Sequence, residues 1–266
     1  MALMIALVVT LITVVSAALF WSHHWWFPPD ISVHGHAIDQ QFLLTLIVTG
    51  IIFIMAQLGL AYSVWRYRDR GDGRKAAYSH GNNKLEVTWT IAAAIVFIGL
   101  NLMGYHIWAG IHFMGAEPGA TQIEVWGQQF AWYFRYPGPD GQFGPTHVDK
   151  INDAMGNFLG LDRENDEASK DDIVVPTLAI PVNHPVQLTL HSKDVTHSFF
   201  VRELRMKQDL VPGMAIPIHF TATKIGRYEI ACAELCGLGH YRMRAFLEVL
   251  SEEDYEAWLR KMAATQ

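Results

Sequence analysis

The stretch CAELCGLGHYRM, residues 232–243, places two cysteines, a histidine and a methionine close together, just after a predicted strand. Two thiolates, an imidazole and a thioether are soft ligands that favour copper, and a weak axial methionine is typical of copper sites that transfer electrons. A histidine from a distant strand usually completes such a site. The natural candidate is His197, in the sequence SKDVTHSF of residues 192–199.

The second cysteine changes the kind of site that is expected. One copper ion needs a single cysteine, so Cys232 and Cys236 together indicate two copper ions bridged by thiolates, an arrangement that suits an electron relay. Two alternatives remain on spacing. One is a structural zinc site built from the cysteines, His240 and His197, although zinc makes little use of Met243. The other is a disulfide in an oxidising compartment.

Three apolar runs dominate the amino-terminal half: Met1 to Trp21, Phe42 to Trp65 and Val87 to Trp108. Each approaches the roughly 20 residues that a helix needs to cross a bilayer. Aromatic residues at the ends of the second and third runs suit the membrane interface. We predict that these two span the membrane. The first run is predicted to be a third helix, with a cleaved signal segment ending near residues 15–17 as the alternative.

The connecting segments orient these helices. Lys and Arg are absent between Ser22 and Gln40 but concentrated between the second and third runs, at Arg66, Arg68, Arg70, Arg74, Lys75 and Lys84. Positive loops stay in the cytoplasm, so everything after His112 is predicted to lie outside.

The carboxyl-terminal half has the pattern of β structure, with short aromatic and β-branched runs between Gly and Pro residues. Such spacing is typical of a sandwich or barrel. The Gly-, Asp- and Glu-rich stretch 137–172 is interpreted as an insertion or long surface loop, and Ser251 as the N-cap of a terminal helix. The predicted strands are 121–136, 186–190, 197–201, 216–223, 227–231 and 245–250.

Composition excludes some functions. A formal net charge of -6 argues against a nucleic-acid partner, and two cysteines cannot form a disulfide framework. Four histidines before the second run are interpreted as an external loop without a metal: His23, His24, His34 and His36.

The segment 232–243 resembles the CuA signature of cytochrome c oxidase subunit II, and the similarity covers nearly the whole chain. The resemblance implies a membrane-anchored all-β protein, with a transmembrane helical hairpin and an extra N-terminal helix before a cupredoxin-like Greek-key β-barrel. The expected division is 1–21, N-terminal helix or signal segment; 22–41, external loop; 42–112, hairpin with a basic cytoplasmic loop; 113–250, external CuA domain with the insertion near 137–172; and 251–266, C-terminal helix.

The same resemblance implies two bridging thiolates, two terminal nitrogens, an axial sulfur and a backbone carbonyl as copper ligands: Cys232, Cys236, His197, His240, Met243 and Glu234. It also implies that the Glu234 side chain binds a magnesium ion shared with subunit I.

Further motifs imply partner contacts. Residues 84–91 resemble the entry to the family's second core helix, which implies a place for Glu86 near a proton pathway; a plain membrane-interface glutamate is the alternative. Lys207 and Asp209 match a K-x-D-x-x-P-G loop that faces subunit I, although the usual following arginine is Met214.

The strand 127–134 resembles the family's electron-entry strip, with Phe130 where many members have tryptophan and with Trp132 retained. Ordinary core packing is the alternative. Asp194 matches an acidic donor-docking position, whereas Arg135 stands where members that dock soluble cytochrome c often carry a carboxylate. The acidic stretch 162–172 is interpreted in one of two ways. It supplies the negative charge that steers a donor and that position 135 lacks, or it is a solvated loop.

The resemblance implies subunit II of a respiratory haem–copper oxidase in the inner membrane. Electrons from a c-type cytochrome or haem domain would pass through CuA to haem in subunit I, which reduces oxygen to water and pumps protons. No CxxCH sequence is present, so haems are expected only in partner subunits. The alternatives are a CuA subunit of a nitric oxide reductase and a membrane-bound copper-binding or delivery protein. A quinol oxidase subunit is disfavoured, because those relatives lack the copper ligands.

Overall fold

The computed structural model describes residues 1–22, 27–78 and 80–266. Three long helices come first, α1 at Ala2–Ser22, α2 at Gly35–Arg66 and α3 at Asn83–His112. Each is long and apolar enough to cross a membrane, which confirms the three predicted helices. The chain forms two compact units: a helical unit of residues 1–28 and 37–108, and a β unit of residues 29–36 and 109–266.

The start of α2 differs from the prediction. The helix begins at Gly35 rather than at Phe42, so much of the expected external loop is helical. The apolar pattern marks only the part of a helix suited to lipid, whereas the polar first turns depend on capping. Here the Ser32 hydroxyl accepts a hydrogen bond from Gly35 N at 3.0 Å. His36 therefore lies in α2, while His23 and His24 lie outside the described residues.

The segment 29–36 belongs to the β unit. Ile31 is buried, its backbone nitrogen donates to the Glu203 carbonyl at 3.0 Å, and its carbonyl accepts from Thr223 N at 2.7 Å. This segment is therefore an added strip of the β unit.

The described part of the β unit contains two five-stranded sheets, with orders β3-β2-β1-β5-β8 and β4-β10-β9-β6-β7. The pairs β1–β5 and β10–β4 are parallel, and the other strand pairs are antiparallel. This is a β domain of cupredoxin type, which confirms the predicted fold class. The strands are β1 Thr121–Gln128, β2 Ala131–Tyr136, β3 Ile173–Val175, β4 Thr177–Pro181, β5 Pro185–Ser192, β6 His197–Val201, β7 Met206–Leu210, β8 Ile216–Thr221, β9 Gly226–Cys232 and β10 Arg244–Leu250.

The core of the β unit lies between the two sheets. Alternate residues of β1, β5 and β10 are buried, as the period of a half-buried strand requires. Val125, Leu188 and Leu247 are fully buried, and each such side chain contributes roughly 1.5–3 kcal/mol on burial.

Three strands were not predicted, and the long run 121–136 is two strands joined at Gln129 and Phe130. The strand β4 is buried on both faces at most positions, so its sequence shows no alternation. The strands β3 and β7 are short, and β7 is largely polar.

The insertion 137–172 contains 3-10 turns and one short helix, α4 at Glu167–Lys170. It packs against the outward side chains of β2, since Tyr133 stacks on Phe158 with ring centroids 4.5 Å apart. Leu159 and Leu161, within the insertion, are buried. The insertion is therefore a folded cover on the first sheet. The terminal helix α5, Glu252–Ala263, has the predicted N-cap, because Asp254 N donates to the Ser251 hydroxyl at 3.2 Å.

Candidate metal centre

Two buried free thiols form the middle of the site. Cys232 is the last residue of β9, and Cys236 lies in the loop that follows. Their Sγ atoms are 3.8 Å apart, far beyond the roughly 2.05 Å of a disulfide bond. The disulfide alternative is therefore wrong. A metal ion held about 2.3 Å from each sulfur at a near-tetrahedral angle would span this separation.

Two imidazoles approach different thiols. His197 Nδ1 lies 4.0 Å from Cys232 Sγ, and His240 Nδ1 lies 3.8 Å from Cys236 Sγ. The register of β6 against β9 explains the first contact, because Phe199 pairs with Cys232 and His197 is two positions away on the same face. His197 is fully buried, whereas His240 is half-buried in the loop.

The thioether and the carbonyl complete the donor set. Met243 Sδ is buried and lies 3.7 Å from Cys236 Sγ, while the Glu234 carbonyl lies 3.2 Å from Cys232 Sγ. All six ligands expected from the sequence therefore gather around the thiols. This soft donor set fits copper, and it exceeds the four donors of a tetrahedral zinc site. The Glu234 side chain is exposed.

Backbone hydrogen bonds close the ligand loop, residues 232–243. Cys232 N donates to the Met243 carbonyl at 3.1 Å, which joins the two ends of the loop. Gln129 Nε2 donates to the Cys236 carbonyl at 2.6 Å. The Phe130 ring lies against the loop, where a Cβ on Gly237 would stand 3.2 Å from its Cζ and one on Gly239 still closer to the ring. The loop is therefore fixed from one side by the β1–β2 turn.

We expect Gly239→Ala to destabilise the protein by about 1–3 kcal/mol, the usual effect of forcing an atom into a packed interior. The new Cβ would overlap the Phe130 ring. Urea unfolding of the full chain in detergent measures the loss. In a chain that already carries Phe130→Ala, Gly239→Ala should cost less stability than it does in the parent chain, which gives a coupling energy of about 0.5–3 kcal/mol. Additive effects would show that the ring does not meet the loop.

Asp194 orients the buried histidine. Its Oδ1 is 2.8 Å from His197 Nε2, and its Oδ2 accepts from Gln129 N at 2.8 Å. Burial alone would raise the pKa of Asp194, but these two hydrogen bonds lower it below its usual value. A carboxylate on one ring nitrogen directs the other toward the metal position. The sequence indicated only a docking role; the D-x-x-H spacing was the signal for this second one.

The two thiols differ in acidity. Burial alone would raise the pKa of Cys232, but hydrogen bonds with His197 and the Glu234 backbone lower it to about 6. Burial and the neighbouring Cys232 raise the pKa of Cys236 to about 11. Because a metal-bound cysteine is a thiolate, metal binding must release the Cys236 proton.

The predicted electron-entry aromatics both adjoin ligands. Phe130 is half-buried on the ligand loop. Trp132 is 2% exposed, and its ring centroid lies 6.2 Å from that of His197 and 6.3 Å from that of Phe199. Trp132 is thus part of the core as well as a neighbour of the site.

The structure places Arg135 in the interior of the β unit, although related proteins often carry a docking carboxylate at this position. Its side chain is 1% exposed and pairs with Glu124 at 3.1 Å and with buried Asp172. Arg135 presents no charge to a docking partner. The acidic stretch 162–172 is also partly neutralised internally, since Asp162 pairs with Lys150 and Asp172 with Arg135.

The remaining predicted residues lie on α3 and β7. Glu86 is exposed in the first turn of α3, in the helical unit. On β7, Lys207 Nζ pairs with Asp209 Oδ1 at 2.7 Å. Within the described ranges, the metal-binding side chains whose ligand atoms all lie within 4.8 Å of one another are His197, Cys232 and Cys236.

Two family models match the chain. The model described as cytochrome c oxidase subunit II, periplasmic domain, matches residues 121–250, and its transmembrane-domain counterpart matches residues 21–107. The alternative cytochrome c oxidase subunit 2 of Bradyrhizobium diazoefficiens is 36% identical, over 97% of this chain and 91% of that protein. Cytochrome c oxidase subunit 2 of Cereibacter sphaeroides is 28% identical, over 88% and 79%.

Among solved structures, the periplasmic domain of subunit II of cytochrome oxidase (CoxB) of Bradyrhizobium japonicum is similar to part of the chain. It is 26% identical, covers 56% of this chain and 97% of that one, and superimposes with a TM-score of 0.41.

Proposed function

The chain belongs to the cytochrome c oxidase subunit II family, and we propose that it is the subunit through which electrons enter the oxidase, at a dinuclear copper centre. It is a membrane protein with a periplasmic domain. The observation that carries the proposal is the meeting of two imidazoles, a thioether and a backbone carbonyl around two free thiols 3.8 Å apart. A copper-delivery protein would need exposed, exchangeable ligands instead.

The side chains divide the work of such a centre. Cys232 and Cys236 would hold both metal ions, with His197 and His240 as terminal ligands. When bound, a copper pair supplies an electron acceptor and donor whose bonds change little between oxidation states. The protein keeps water away, because both cysteines and His197 are buried. It also holds the ligands in place through the closed loop, so little rearrangement accompanies electron transfer.

Polar groups other than the copper ligands define the further proposed partners. The Glu234 side chain is free to point away from the thiols and would bind a magnesium ion shared with subunit I. Lys207 and Asp209 would contact the same subunit, and Glu86 would lie near its proton pathway. A c-type cytochrome or haem domain would donate electrons close to the turn at Gln129 and Phe130, where an aromatic ring reaches the ligand loop.

Metal content and electron paramagnetic resonance test the proposal. The full chain in detergent is loaded with copper and its metal content is measured. We expect two coppers per chain that share one unpaired electron. A single tightly held zinc, or one exchangeable copper, would contradict a copper-pair relay.

Asp194→Asn should weaken copper binding by about 10–100-fold, the usual effect of losing the partner that orients a metal-bound histidine. The reason is that an amide cannot hold His197 as a carboxylate does. Copper titration and the spectrum of the loaded chain measure the change. Asp149→Asn, at an exposed acid of the insertion, is the matched control. If Asp194→Asn altered only the salt dependence of electron transfer from a cytochrome, its role would be docking alone.

A further inference from the structure

The insertion 137–172 reaches the turn that precedes His197. Lys193 Nζ donates to Gln128 Oε1 and to the Phe158 carbonyl, the latter at 2.6 Å. The ammonium group also lies 5.7 Å from the centroid of the Tyr133 ring. Charge-assisted hydrogen bonds of this kind are stronger than neutral ones. A single lysine therefore ties the insertion to β1 and to the turn 192–196.

The insertion end of this link is itself well held. The Phe158 ring stacks on Tyr133 with an angle of 19° between the planes. The Asn157 side chain donates to the carbonyls of Lys150 and Leu161 at 3.1 and 2.9 Å and accepts from Leu161 N at 2.8 Å. The carbonyl that Lys193 meets thus belongs to an ordered loop.

The other end of the link leads to the metal ligand. Lys193 N donates to the Gly127 carbonyl at 3.0 Å, and the next residue, Asp194, holds His197. Gly127 lets the imidazole pass close to β1, because a Cβ there would stand 3.1 Å from His197 Cδ2. The Ser192 hydroxyl donates to the Val195 carbonyl inside the turn. Two neighbouring residues therefore fix the same turn: Lys193 bonds to β1 and the insertion, and Asp194 bonds to His197.

We propose that the insertion 137–172 positions His197, and that Lys193 transmits this effect through Asp194. The proposal rests on the proposed function in that His197 is a metal ligand. Lys193 bonds to Gln128, Phe158 and Gly127 rather than to the thiols, so it is a positioning residue. A ligand histidine whose holding carboxylate moves by a few tenths of an ångström changes its direction toward the metal.

Amide hydrogen exchange in the copper-free full chain, in detergent, tests the link at two points. Lys193→Met removes the ammonium group, and Phe158→Ala removes the aromatic stack but keeps the charge. Both variants should raise exchange in residues 192–197 by about 10-fold, with β9 and β10 unchanged. Lys170→Met is the control, since Lys170 lies in the same insertion and its ammonium group pairs with the exposed Glu167.

The copper-loaded chain gives the second readout. Both variants should shift the reduction potential and the copper signal. Lys193→Arg should keep both close to those of the parent chain, because a guanidinium can donate to the same acceptors. Unchanged exchange in both variants would overturn the proposal. An effect of Lys193→Met with none from Phe158→Ala would also overturn it. The positive charge of Lys193 would then act on Asp194 directly, without the insertion. Failure to bind two coppers would leave the exchange result standing and count against the proposed function instead.

Discussion

Cys236→Ser is expected to abolish the signal of an electron shared by two coppers and to leave at most one copper per chain. A serine hydroxyl is a hard, weakly acidic ligand and does not bridge two copper ions as a thiolate does. The Cys236 sulfur also contacts His240 at 3.8 Å and Met243 at 3.7 Å, so its loss removes the centre of the cluster. Copper analysis and electron paramagnetic resonance measure the effect.

Met243→Leu is the matched control for this prediction. It keeps both thiols and both imidazoles and removes only the axial sulfur, so the copper pair should persist with an altered spectrum. Without copper, the unfolding midpoint of Cys236→Ser should stay near that of the copper-free parent chain, because the change is nearly isosteric. A shared-electron signal that survived Cys236→Ser would show that this residue is not a bridge.

Arg135→Met should reduce the free energy of unfolding by about 3–5 kcal/mol, the usual effect of leaving a buried charge without its partner. Asp172 is fully buried beside Arg135, and Glu124 would lose its contact at the same time. Urea unfolding of the full chain measures the loss. Arg260→Met is the control, because Arg260 pairs with Glu256 on an exposed face of α5 and should cost at most about 1 kcal/mol.

The pH dependence gives this prediction a sign. Burial raises the pKa of Asp172, although Arg135 opposes the rise. Without Arg135 the pKa of Asp172 in the folded chain should rise further. The unpaired carboxylate therefore destabilises the fold increasingly as the pH rises above the pKa that Asp172 has in the unfolded chain. The deficit of Arg135→Met should therefore shrink as the pH falls from 7 toward 5. A deficit as small as that of Arg260→Met would show that the buried network contributes little.

The ligand loop was predictable because its chemistry is local. Five of the six proposed donors lie in residues 232–243, and the residue types alone indicate the metal. His197 required a choice among distant histidines, and the register of β6 against β9 brings this histidine close to the thiols. The six predicted strand regions are all present, because half-buried strands have alternating apolar and polar residues that can be recognised in the sequence.

Arg135 shows where prediction from sequence stops. On β2 the buried positions Trp132, Phe134 and Tyr136 alternate with outward ones, so the pattern places Arg135 on the surface. The insertion supplies Gly144 and Asp172 as partners of the guanidinium and covers that face. The insertion also supplies the Phe158 carbonyl that Lys193 meets, and no local pattern signals either contact.

The chain order of the strands sets the order in which the parts of the site are synthesised. All five strands of the first sheet, β1, β2, β3, β5 and β8, precede Cys232, and the β1–β2 turn that supports the ligand loop comes earliest. During synthesis the supporting sheet, the insertion and His197 are thus made before either thiol appears. Because both thiols follow all of these residues, the proposed copper centre can form only after nearly the whole β unit has been synthesised.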